Sequence, residues 1–126
     1  MKRILVFGNE FVDEDSLAVA VGRKLASESD LEIIECHQPD DVMEFYSGED
    51  CYILDVAEGI DTVRVIHDID DLEAPKLCSL HDFDLGFFLK LLKKMGTVDK
   101  VKIICLPMRA DLDSVRQEVL DIISLT

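Results

Sequence analysis

At 126 residues the chain is the size of one domain and can bury a sizeable core. Its 48% hydrophobic content and mean hydropathy of +0.16 exclude a disordered polypeptide, and no apolar run reaches the roughly 18 residues that span a bilayer. A net charge of −14 and a pI of about 4.4 disfavour nucleic acid and anionic membranes, which would repel it.

The elements are predicted in chain order. The basic pair Lys2-Arg3 precedes an apolar stretch too short for a signal peptide and without a small-residue cleavage site. That stretch, residues 4–7, is expected as a first strand and the protein as cytoplasmic. Gly8 then permits a tight turn. Residues 15–26 show helical periodicity, with Leu17, Ala18, Val21 and Leu25 on one stripe. Asp13 is expected to cap that helix, with acids in its first turn to suit the dipole. Residues 31–35 form a second strand, and Pro39 followed by two Asp opens a helix over 39–45.

Residues 51–54 are a third strand, ending at Asp55. Residues 62–67 alternate and suit an edge or half-exposed strand. Residues 68–79 hold Pro75 and an acid cluster and are irregular. Residues 83–94 are an amphipathic helix, with Phe83, Phe87 and Leu91 inward and Gly96 at its end. Residues 101–106 are a last strand stopped by Pro107. A closing helix over 111–125 carries Leu112, Val115, Val119, Ile122 and Ile123 as its apolar stripe. Strands separated by helices imply an α/β fold in three layers. The sheet is expected to be twisted, five-stranded and mainly parallel, with an edge strand free to run antiparallel. Residues 1–126 are expected to form one domain.

Three residues stand out: Asp15 after the first strand, Asp55 at the end of the third, and His81 opening a helix. In a parallel sheet the carboxyl ends of the strands share one edge, where ligands bind. Two carboxylates and an imidazole there can hold a transition metal or act as acid and base. Taken singly each has a plainer role, as a first-turn acid, a turn cap or a core histidine. His37 follows the second strand and can face the same edge, while His67 is expected to be exposed. The four cysteines, Cys36, Cys51, Cys78 and Cys105, include no C-x-x-C pair, which argues against structural zinc. Cys51 and Cys105 read as buried thiols, and nothing implies an activated thiolate at Cys78 near His81. Neither a dinucleotide fingerprint nor a P-loop occurs. The acid clusters are solvated surface or steer a basic partner.

Taken together, Gly8-Asn9-x4-Glu14-Asp15 after a strand, the strand-end Asp55, and Ser79-Leu80-His81 before Leu85-Gly86 resemble the hydrogenase maturation protease family. Pro107 after the last strand also has a counterpart there. The resemblance runs over nearly the whole chain. It implies an endopeptidase that removes the C-terminal tail of a nickel-loaded large-subunit precursor. Nickel arrives with that substrate, and no organic cofactor is needed. By the same resemblance Asp15, Asp55 and His81 complete the nickel's coordination. A monomer is expected rather than an oligomer. The chain departs from the family where Val6-Phe7 replaces an earlier Gly, where Ala18 follows the acidic pair, and where Glu35-Cys36-His37-Gln38-Pro39 replaces a glycine-rich turn. Two other readings compete. One is a binding homologue without activity. The other is a receiver-type signalling domain phosphorylated on Asp55, with Glu14 and Asp15 on magnesium. The second lacks the expected Lys before Pro107, where Leu106 stands.

Overall fold

The computed structural model describes residues 2–8, 11, 16–37, 41–46, 50–57, 60–67, 94 and 102–125, the side chains of residues 42 and 43 excepted. Five strands are β1 (Arg3–Phe7), β2 (Glu32–Cys36), β3 (Cys51–Ala57), β4 (Arg64–Ile66) and β5 (Ile103–Pro107). Three helices among the described residues are α1 (Leu17–Glu28), α2 (Asp41–Phe45) and α3 (Leu112–Leu125). The sheet order is β2-β1-β3-β5-β4. Neighbours run parallel except β4, which lies antiparallel on β5. The expected α/β fold with an antiparallel edge strand is therefore what forms.

Period-two alternation divides the strand residues between two cores. Ile4, Val6, Tyr52, Leu54, Val56, Ile104 and Leu106 face α1 and α3. Leu5, Phe7, Cys36, Ile53, Ala57 and Cys105 face the other way, against Phe45 of α2, Tyr46 and Ile60. Covered on both faces and paired on both sides, β3 is buried at all seven positions. A continuous apolar run is what such a central parallel strand requires. Each wholly buried aliphatic side chain contributes roughly 1.5–3 kcal/mol.

The edges are guarded by charge and brevity. On β2, Glu32 pairs with Arg3 at 2.5 Å, and Glu35 takes both ends of the Arg23 guanidinium at 3.0 Å. β4 has only three residues and exposes Arg64. Short, charged edges resist pairing with another chain.

Several boundaries depart from the sequence expectation. The first helix begins at Leu17, with Ser16 as its cap and no acid in its first turn. Ser16 makes no side-chain capping bond; its carbonyl accepts from Ala20 N–H at 3.0 Å. The proposed cap Asp13 lies outside the described residues, as does the helix expected over 83–94 apart from Lys94, which is helical. The closing helix is capped as its sequence suggests: Asp111 Oδ2 accepts from Ser114 N–H at 3.0 Å. Pro107 does not stop β5 but is its last residue, opposite Ala57. Its missing N–H is tolerated because the β4 pairing has already ended at Cys105.

α1 approaches the sheet closely through Gly22. A Cβ there would stand 2.8 Å from Val6 Cγ2 and 3.5 Å from Ile33 Cγ2. Val6 is wholly buried in β1 and has no room to withdraw. Lys24–Asp113 at 2.5 Å and Arg116–Glu28 at 3.7 Å then join α1 to α3. These surface pairs add little energy, so the fit at Gly22 dominates.

Gly22→Ala is expected to destabilise the protein by about 1–2 kcal/mol, overpacking outweighing the gain in helix propensity. Val6→Ala in the same chain should relieve part of that cost. Urea midpoints of the two single variants and the double variant check this. Strict additivity, or a Gly22→Ala midpoint at or above wild type, would contradict the close fit.

Candidate functional site

β1 passes to β2 on one side of the sheet, whereas β3 is flanked by β5 on the other. The connections therefore diverge between β1 and β3. A crevice forms at such a switch point, outside the carboxyl ends of the two strands. Among the described residues, Phe7 at the end of β1 and the last residues of β3 stand at this point.

Asp55 lies in the second of these segments, but deeper than its sequence implies. It does not end the strand: Val56 and Ala57 continue β3, and Ala57 pairs with Pro107. Nor is it partly desolvated, since its relative exposure is 0%. Among the described residues it is the one buried polar or charged side chain. Alternation puts it on the face of Ile53 and Ala57, away from α1 and α3. Its Oδ1 accepts from Val56 N–H at 2.9 Å. Its parallel register partner is Cys105. Val6 pairs with Leu54, so one step further brings Phe7 level with Asp55.

An ionised carboxylate in an apolar environment is costly unless paired, hydrogen-bonded or ligating a metal. A chain does not retain one at the centre of its sheet for packing, where Val or Ile would serve better. Its place next to the switch point makes Asp55 the candidate for a ligand or acid–base role. Asp15 and His81 lie outside the described residues. In the sequence Asp15 immediately precedes the Ser16 cap. Among the described residues no group of three or more His, Cys, Asp or Glu is placed to hold a metal ion.

The same edge carries Cys36 and His37. Cys36 ends β2 opposite Phe7 and is buried. Burial pushes its thiol up to about 12 from 9.0, and Asp41 and Cys51 add to the rise. It is no nucleophile at neutral pH. Cys51 and Cys105 are buried thiols outside any disulfide, as their sequence suggests. His37 is exposed, and its backbone N–H donates to Asp41 Oδ2 at 3.0 Å, tying the end of β2 to the start of α2. His67 is exposed as expected. Cys78 lies outside the described residues. Sequence reasoning missed the Asp55–Cys105 pairing, because no local pattern in the sequence reveals register.

No family model matches the chain, and no curated protein matches it by sequence. By fold it is similar to the NiFe hydrogenase maturation protease HybD from Thermococcus kodakarensis, at 20% identity over 97% of this chain and 96% of that one, with a TM-score of 0.66. It is also similar to the hydrogenase 3 maturation protease, at 18% identity over 94% and 86%, TM-score 0.67. A third similar structure is the NiFe hydrogenase maturation protease HycI from Thermococcus kodakarensis KOD1, at 17% over 94% and 86%, TM-score 0.58. The chain shares their fold over nearly its full described course.

Burial also lifts the Tyr46 hydroxyl to about 12, with Cys51 adding and a backbone bond at Lys102 opposing. Both Cys36 and Tyr46 ionise more readily unfolded than folded. The unfolded chain therefore loses protons first as pH rises, and stability falls across the window from about 9 to about 12. Below pH 9 the contribution of Cys36 is fully present. Urea unfolding at pH 8, 9, 10 and 11 checks this. The stability difference between wild type and Cys36→Ala should shrink above pH 9. A constant difference would contradict a buried neutral thiol.

Proposed function

We propose that the chain is an endopeptidase that removes the C-terminal tail of a nickel-loaded NiFe hydrogenase large-subunit precursor in the cytoplasm. One observation carries the reading: a wholly buried carboxylate, Asp55, stands beside the switch point of a fold similar to three maturation proteases. The order of motifs in the sequence supports it, with Asp15 after β1, Asp55 in β3 and Ser79-Leu80-His81 further along.

In this reading the nickel belongs to the substrate. Asp15, Asp55 and His81 supply two carboxylates and one imidazole to it, leaving positions for the precursor's own ligands. Asp55 is wholly buried in the free protein, so its carboxylate has to be uncovered when the precursor docks. A carbonyl polarised by the metal is then open to attack by water. Asp15 or Asp55 serves alternatively as the base that takes the water's proton. The whole chain, residues 1–126, works as one catalytic domain, monomeric and without an organic cofactor.

The receiver reading is weaker. The doubly wound order associated with such domains is 2-1-3-4-5, whereas here β5 lies between β3 and an antiparallel β4.

The test is intact mass of a large-subunit precursor incubated with the protein, once nickel-loaded and once nickel-free. Tail loss only from the loaded precursor is expected. Asp15→Asn, Asp55→Asn and His81→Ala should each slow that loss by more than about 100-fold, beyond the effect of removing a group that only orients a ligand. Circular dichroism confirms that each variant is folded. Cleavage at the wild-type rate by a folded variant removes that residue from the site. No cleavage of any precursor by wild type leaves a binding homologue.

A further inference from the structure

We propose that Phe11 is the anchor with which the chain docks on its protein substrate, the ring entering an apolar pocket rimmed by Lys and Arg. That this substrate is the large-subunit precursor rests on the protease reading above.

Among the described residues two large apolar side chains stand in solvent, Phe11 at 87% exposure and Leu125 at 86%. The other described aromatics are packed away: Phe7, Phe45 and Tyr46 belong to one core and Tyr52 to the other. A lone exposed hydrocarbon is ordinary on a protein surface and by itself carries nothing. Position and charge separate Phe11 from Leu125.

Position follows from chain reach. Phe11 is four residues beyond Phe7, the last residue of β1. Four residues of fully extended chain span roughly 14 Å, so Phe11 is tethered within that distance of the switch point. A partner that presents a peptide to that edge of the sheet meets Phe11 beside it. Leu125 belongs to the opposite edge. Lys2, one residue before β1, donates from Nζ to the Ile123 carbonyl, which holds the end of α3 near the amino ends of the strands.

Charge narrows the occupant. The sequence around the ring reads Glu10-Phe11-Val12-Asp13-Glu14-Asp15, four acids with no Lys or Arg among them. The same tether keeps those charges within roughly 14 Å of Phe11, inside two Debye lengths at physiological salt. A second copy of this chain, at a net charge of −14, would set the same acids against them. An anionic membrane is repelled likewise. The complementary occupant is a protein surface with an apolar pocket and a basic rim. An aromatic ring seated in a pocket, enclosed by polar contacts that exclude water, is how interface hot spots are built. The charges then speed encounter, and burial of the ring sets how long the complex lasts.

Biolayer interferometry on the immobilised nickel-loaded precursor tests the docking. Phe11→Ala should raise Kd by about 30-fold or more, the loss of one hot-spot ring. Phe11→Leu should retain part of the affinity. Leu125→Ala removes an equally exposed side chain at the wrong edge and should leave Kd within about twofold. Added salt should slow association of wild type and Phe11→Ala alike. The urea midpoint of Phe11→Ala should match wild type, because the ring is exposed. In tail removal KM should rise in step with Kd, with kcat holding at saturating precursor.

Equal Kd for Phe11→Ala and wild type overturns the proposal, as does a fall in kcat without a rise in KM. Association that ignores salt overturns the basic rim. Sedimentation that finds wild type paired with itself and Phe11→Ala monomeric assigns the ring to a second copy and overturns the proposal too. Wild type that binds the precursor but cleaves nothing ends the protease reading, and the Kd comparison still decides the anchor. Wild type that binds no precursor overturns both.

Discussion

Everything in this molecule is registered against β3. It is the strand that pairs with β1 on one side and β5 on the other, and all seven of its residues are buried. The two cores meet across it: Tyr52, Leu54 and Val56 face the long helices, while Cys51, Ile53 and Ala57 face α2. A strand in that position has no freedom to slip, because a shift of one residue would exchange every side chain between the two cores. The constraint that fixes the fold therefore also fixes Asp55, whose carboxylate is held by the least adjustable element of the sheet.

That explains how a costly group is tolerated. The apolar burial on either side of Asp55 offsets the penalty of drying one carboxylate, and its own backbone neighbour supplies a donor. Sites built on central strands hold their geometry better than sites on loops. The switch point between β1 and β3 has such a rigid wall on one side and the end of β1 on the other. A fold of this kind hosts many chemistries, and it is the identity of the groups at the crevice that narrows the choice.

The architecture was largely legible in the sequence, since continuous apolar runs and a 3.6-residue stripe each have one cheap solution. Residues 4–7, 51–54 and 101–106 read as central strands, and they are β1, β3 and β5 to within a few residues. The alternation of residues 62–67 marked an edge, which β4 is. What the sequence hid were the ends. A charge reads as the end of a strand, so Asp55 seemed terminal, whereas tertiary burial carries β3 two residues past it. Pro107 seemed a breaker, although its missing N–H faces no partner strand. Acids at 13–15 seemed a helix start, but the first helical turn begins beyond them at Leu17. Register was invisible altogether: no local pattern reveals that Cys105 stands opposite Asp55. Of the candidate site, the depth of Asp55 in the sheet could not be read from its sequence.

The buried thiols have a consequence beyond packing. Cys36, Cys51 and Cys105 are reduced and sealed inside the sheet, and ionisation of Cys36 is suppressed further. Oxidants act on thiolates that they can reach, so these three thiols are chemically quiet in the native state. Each opening of the sheet exposes these sulfurs together in a chain able to form wrong disulfides. In an oxidising setting the lifetime of the protein is then a kinetic quantity, governed by how often the sheet opens rather than by how reactive each sulfur is.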